Sequence, residues 1–222
     1  SAQTESGLWH QYYRISDGQP FGPSTPYFDG ESLLALIKAA KYMGRSDLKP
    51  VSIAAADAGY RQNIQEALQK NRDSEITKGY YQWSSMAFFE LATTDWPDTQ
   101  KYGDYVLDLA DWMIGVHKTL WRTRNTGYAY EGIIHAYQLA VQRNDAKRIK
   151  KLACVIDTGL EKLTSWQVRS PLANHFIRKH TTDDPMAIGG VQNHRREAPL
   201  RIDVTQHQMH AVILARRYVY LH

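Results

Sequence analysis

A carboxylate and two imidazoles recur at helical spacing near the C-terminal end of the chain. In GVQNHRREAPLRIDVTQHQMH (190–210), Asp203, His207 and His210 fall at i, i+4 and i+7, so they share one helical face. Side chains so placed could meet one metal ion, or the carboxylate could orient an imidazole as a general base. The plainer reading is that Asp203 caps the helix N-terminus while the imidazoles hydrogen-bond within the core. Neither a metal nor another cofactor is required. Just upstream, Arg195, Arg196 and Arg201 are cations able to hold a carboxylate or sulfate bidentately, and His194 stands beside them.

Two further sets could do chemistry. Glu31 in YFDGES and Glu131 in YAYEGI occupy matching places in two similar segments, with Asp29 beside the first. Carboxylates facing one cavity are what glycoside hydrolysis uses, one as acid and one as base or nucleophile. Acidic residues are also favoured in a helix's first turn by the macrodipole, which is the competing explanation. The second set is aromatic: Tyr27, Phe28, Tyr80, Tyr81, Trp83, Tyr128 and Tyr130 all lie in such segments. Rings of this kind stack on sugar faces, and a phenol can exchange a proton; interhelical packing is the alternative for each ring. No G-x-S-x-G elbow, glycine-rich phosphate loop or H-E-x-x-H helix occurs, which argues against the usual serine hydrolases, P-loop NTPases and zincins.

These residues must be positioned by helices, because strand signals are sparse. Helical periodicity covers 30–44, 51–70, 81–93, 98–120, 129–143, 145–167 and about 203–219. The first six make three pairs. The first members begin alike, as in YFDGESLLAL (27–36), YYQWSSMAFF (80–89) and GYAYEGIIHAY (127–137): an aromatic, polar lead-in, then an apolar small-residue helix. The second members are more charged, as helices with one solvent face should be. The spacing suits two-helix repeats. The predicted fold is all-α, with antiparallel helical hairpins in an α/α toroid; a generic helical bundle and a solenoid of stacked hairpins are the alternatives. Seven helices would make that ring incomplete, leaving an edge for a missing N-terminal domain or a second subunit. Residues 1–26 read as an irregular segment and 27–222 as the toroid domain. The stretch 168–202, with Pro171, Pro185, Pro199 and Gly189-Gly190, reads as a long polar flap.

Composition narrows the partners. Hydrophobic residues make up 43% and charged residues 23% of 222 residues, which fits a folded domain with a real core. Tyr outnumbers Phe by 14 to 5, which leans towards rings with a wet edge. The net charge of +4 is too weak and too scattered to imply nucleic acid, but it suits an anionic ligand. No apolar run approaches a membrane span. The single cysteine, Cys154, excludes an internal disulfide and reads as a buried thiol on a helical stripe. The opening SAQTES has neither Met nor a signal peptide, which slightly favours a periplasmic or secreted chain or a piece of a longer protein.

The segment APLRIDVTQHQMH resembles the end of the catalytic domain of glucuronyl C5-epimerases, where an Arg-x-Asp stretch precedes a His-containing helix. The matching residues here are Arg201, Asp203 and His207. With the helical repeats and Tyr-rich lead-ins, the likeness extends over about 27–219. It implies an α/α toroid that inverts C5 of uronic acids in polysaccharides. The family's Tyr-rich motif before the Arg is replaced by GGVQNHRRE, so no acid/base tyrosine transfers to that place. Other six-hairpin glycosidase-like proteins fit the helical pattern as well. The expected function is therefore action on an acidic polysaccharide or oligosaccharide, epimerase-like or hydrolase-like; the alternative is a non-catalytic binding or scaffold domain. Expected catalytic residues are Glu31, Glu131, Tyr128 and His207. Expected substrate contacts are Tyr27, Asp29, Tyr81, Trp83, Tyr130, His194, Arg195 and Arg201.

Overall fold

Helix starts follow local chemistry in the computed structural model, which describes residues 2–221. The outer ends of the two predicted ranges, Ser1 and His222, lie outside the described residues. Helix α1 (Pro26–Tyr42) begins where Thr25 accepts from the Phe28 amide and Pro26 fills a position that needs no amide partner. Helix α2 (Lys49–Gly59) also has proline in its first turn; it widens into π-helical turns over Tyr60–Glu66 and ends as the short α3 (Ala67–Lys70). Ser74 caps α4 (Glu75–Ala92), which is why that helix starts six residues before the apolar pattern at 81. Helix α5 (Lys101–Gly115) stops short of residue 120, because Lys118 takes a left-handed conformation that a helix cannot continue through.

The remaining helices are α6 (Gly127–Gln142), α7 (Ala146–Thr164), the one-turn α8 (His175–Lys179) and α9 (Ile202–Ala215). Asp145 caps α7 and Asn174 caps α8. Strands are confined, among the described residues, to a hairpin of β1 (Tyr12–Arg14) and β2 (Gln19–Phe21), with Tyr12 opposite Phe21. Among the described residues the fold is all-α with about seven long helices, as the sequence patterning predicts.

After Leu109 the chain divides into two compact units, a division that falls within α5. In the first unit α1 packs on both α2 and α4. Leu33 and Ile37 are fully buried there, and Gly30 permits the approach, since a Cβ on it would stand 2.7 Å from that of Trp83. The Tyr80 ring of α4 presses its hydroxyl against Gly59 of α2, where any side chain would overlap it. Tyr60 stacks on Tyr105 with centroids 3.5 Å apart.

In the second unit α6 packs on α7 and α9, and Ile133, Ile134, Ala136 and Ala140 are fully buried. The Tyr130 ring of α6 fills the place of the missing side chain at Gly159 of α7, repeating the tyrosine–glycine contact of the first unit. The 168–202 stretch carries the one-turn α8. Its backbone is stitched to the end of α7 by Val168 N–H to Gly190 O (2.9 Å) and Gln192 N–H to Trp166 O (3.1 Å). Cys154 corrects the sequence reading: it is exposed, because the buried stripe of α7 runs through Leu152, Val155, Ile156, Gly159 and Leu163.

Candidate functional site

The start of α6 is shaped by Asn125, whose side-chain oxygen accepts from the Gly127 amide at 2.7 Å. Gly127 has no side chain to hold α9 away. A Cβ there would stand 2.9 Å from the Gln208 amide nitrogen and 3.2 Å from the His207 carbonyl carbon. This close approach sets α9 directly against the first turns of α6, where Glu131 lies one turn on.

Glu131 is the centre of the site. Its side chain is 1% exposed, and Oε1 accepts from His210 Nδ1 at 2.7 Å and from His207 Nδ1 at 3.3 Å. The two imidazoles share one face of α9 because they are three residues apart. His207 is nearly covered, with 13% of its side chain exposed, while His210 is open at 41%. Glu131 Oε2 is also buried and receives no hydrogen bond among the described residues. One turn further along α6, His135 Nδ1 donates to the Glu131 carbonyl at 2.7 Å, which stiffens the helix beneath the carboxylate.

An ionised carboxylate has only lone pairs, so each Nδ1 facing Glu131 carries the proton. In a neutral ring with that tautomer, the lone pair lies on Nε2. The arrangement is a carboxylate that orients two imidazoles and offsets the positive charge either would acquire on taking a proton. At the close approach of α6 and α9, Gln208 Oε1 and Asn125 Nδ2 are buried and make no hydrogen bond among the described residues. Burial pushes the Tyr130 phenol up to about 12, against the pull of the neighbouring Thr126 and Thr119 hydroxyls.

Of the residues proposed from sequence, Glu131 and His207 are therefore brought together. Tyr128 is half-buried at the start of the same helix. Asp203 is not the partner of the imidazoles, and it does not cap α9. It pairs with Arg201 at 2.6 Å on the surface, and the capping position is held by Arg201 with no side-chain bond. Burial opposes the Asp203 charge, but the Arg201 guanidinium prevails and holds its carboxyl below the usual range. The expected Asp–His–His face is replaced by Glu–His–His, with the acid supplied by another helix. His194 is tied into its own loop, its Nδ1 accepting from the Arg196 amide at 3.3 Å.

In the first unit, Glu31 is half-buried on α1, and burial holds its carboxyl above the ordinary range. Asp29 is buried, accepting from the Trp9 amide at 2.9 Å and from Asn63 Nδ2 at 3.0 Å. Burial raises its carboxyl despite those two donors. Asp29 thus anchors the N-terminal segment and α2 to α1. Tyr81 is fully buried, as Tyr80 and Tyr130 are, so these rings pack helices together. Tyr27 is 45% exposed and meets the half-buried Trp83 edge-on at 5.8 Å.

His210 joins Glu131 and His207 as the sequence spacing places it, on the same face of α9 as His207, whereas His135 is not singled out by the sequence patterning. The signal that could have found His135 is its place four residues after Glu131. Among the described residues no group of three or more His, Cys, Asp or Glu side chains is arranged to hold a metal ion. Comparison with protein-family models, with curated proteins and with solved structures finds no match to this chain, so the site is read from its own geometry.

Proposed function

We propose that this chain is a carbohydrate-active helical domain of α/α-toroid type that acts on an acidic polysaccharide or oligosaccharide, moving a proton with Glu131, His207 and His210. The observation that carries the reading is the Glu131 carboxylate, 1% exposed on α6, accepting from two α9 imidazoles. Packing within each unit supports the repeat: α1 lies on α4 and α6 lies on α9.

A uronate fits this chemistry. Its C5–H is acidified by the attached carboxylate once a cation neutralises it, and the imidazole Nε2 of the more open His210 takes that proton. The electron pair moves into the carboxylate as an enolate. Return of a proton to the other face of C5 inverts the centre, whereas loss of the C4 substituent instead would eliminate it. Glu131 stabilises the imidazolium in either case. The hydrolytic alternative requires a free pair of carboxylates, and Asp29 already has both oxygens engaged.

The test is incubation of the full chain with a panel of uronate polysaccharides in deuterated water, reading deuterium at C5 by NMR and new reducing ends separately. Deuterium should enter with the wild-type chain and fall by about 10²–10⁴-fold in His210→Ala and Glu131→Gln. Reducing ends without deuterium would replace this reading by hydrolysis. No reaction on any uronate would leave the domain as a non-catalytic binder.

A further inference from the structure

A second feature of the same unit lies apart from the imidazole pair in its chemistry. Trp166, the α8 turn and the Arg195-Arg196 dipeptide border a groove of about 590 Å³, a size suited to a small ligand or one or two sugar rings. Its charged lining is Lys179, Arg195 and Arg196, with His175 and His180 beside them and neither Asp nor Glu. Arg148, Lys151, Arg169 and Arg201 in this unit each pair with an aspartate. Among the described residues Lys179, Arg195 and Arg196 do not pair with any carboxylate. The nearest acid along the chain, Glu197, stands 3.4 Å from His194 instead.

The floor adds positive charge rather than relieving it. Trp166 is buried, and the Lys162 ammonium sits 5.2 Å from its ring centroid, donating to the carbonyls of Thr119 and Leu120 at 3.1 and 3.3 Å. His180 stacks on Phe176 with centroids 4.2 Å apart, and its Nδ1 is engaged by the Phe176 carbonyl. Like charges held together without a counter-ion repel one another, and an oxyanion bound among them removes that cost. Guanidinium groups suit carboxylate or sulfate through paired N–H donors.

We propose that this groove is an anion-binding subsite in which Arg195, Arg196 and Lys179 hold a carboxylate or sulfate group of an acidic oligosaccharide. The identity of the ligand as a glycan rests on the proposed function; the anion subsite itself rests on the groove.

Isothermal titration of the full chain tests it with four probes: inorganic sulfate, a uronate hexasaccharide, a neutral hexasaccharide of the same length and a single-stranded oligonucleotide of matching charge. Sulfate and the uronate should bind. Each should weaken at least about tenfold in Arg195→Ala/Arg196→Ala, because a charge-assisted contact is lost. Both arginines are exposed, so the variant should keep its helical circular dichroism. Undiminished uronate binding by the folded double variant overturns the proposal, as does tighter binding of the oligonucleotide through the same residues. Deuterium exchange at C5 with KM unchanged in the double variant overturns the subsite and spares the proposed reaction. Arginine-dependent uronate binding with no exchange does the reverse.

Discussion

Glu131 on α6 accepts the Nδ1–H of His210 on α9 at 2.7 Å, although 79 residues separate them. A buried carboxylate stripped of that donor loses a charge-assisted hydrogen bond, whereas losing both partners together costs less than the sum. In urea unfolding, Glu131→Leu and His210→Ala should therefore be coupled by about 1 kcal/mol, allowing for the exposure of His210. The coupling of Glu131→Leu with His207→Ala should be smaller, since that contact is 3.3 Å. Equal or absent couplings would remove the ranking of the two imidazoles.

The tyrosine–glycine contacts give a prediction whose sign is unusual. Replacing glycine by alanine inside a helix ordinarily stabilises by about 1 kcal/mol. At Gly159 the new methyl would overlap the Tyr130 ring, so Gly159→Ala should instead destabilise by about 1–3 kcal/mol. In a Tyr130→Ala background the same change should become stabilising, and the reversal is readable by thermal or urea unfolding. Gly59→Ala should behave likewise against Tyr80.

Much of this was legible in the sequence. The all-α class followed from periodicity, and caps such as Ser74 and Asp145 mark helix starts in plain sight. Glu131 and His207 were legible as chemistry because each stands at a distinctive place in its own helix. Their meeting was not, because it depends on α9 crossing α6 at Gly127, and a glycine's tolerance of a close backbone is not written in periodicity. The same limit explains Asp203. Spacing put it on the imidazole face, but Arg201 two residues away offers a guanidinium at shorter range. Cys154 failed for a simpler reason: on a helix one residue of phase separates a buried position from an exposed one.

Asp203 can be checked directly. A capping aspartate is worth about 0.5–2 kcal/mol when replaced by alanine, whereas an exposed ion pair contributes about 0–1 kcal/mol. With half of its side chain exposed and Arg201 as its partner, Asp203→Ala should cost less than about 0.5 kcal/mol in urea unfolding. A loss above about 1 kcal/mol would restore the capping role.

Lys162 links the groove to pH. Burial first, and then the charge of Arg195, pull its ammonium down to about 8 from an ordinary 10.5. Between those values the unfolded chain holds the proton and the folded chain has released it. Stability from this group therefore rises as pH rises from about 8 to 10.5, and below 8 the charged amine opposes folding in full. The difference in unfolding free energy between wild type and Lys162→Met, followed across that window, should shift in favour of wild type as pH increases. A bound oxyanion would offset Arg195 and favour the charged amine, so saturating sulfate should flatten the dependence. A difference that stays constant with pH would show that Lys162 keeps its proton in the folded chain. A dependence indifferent to sulfate would mean that no anion sits near enough to act on it.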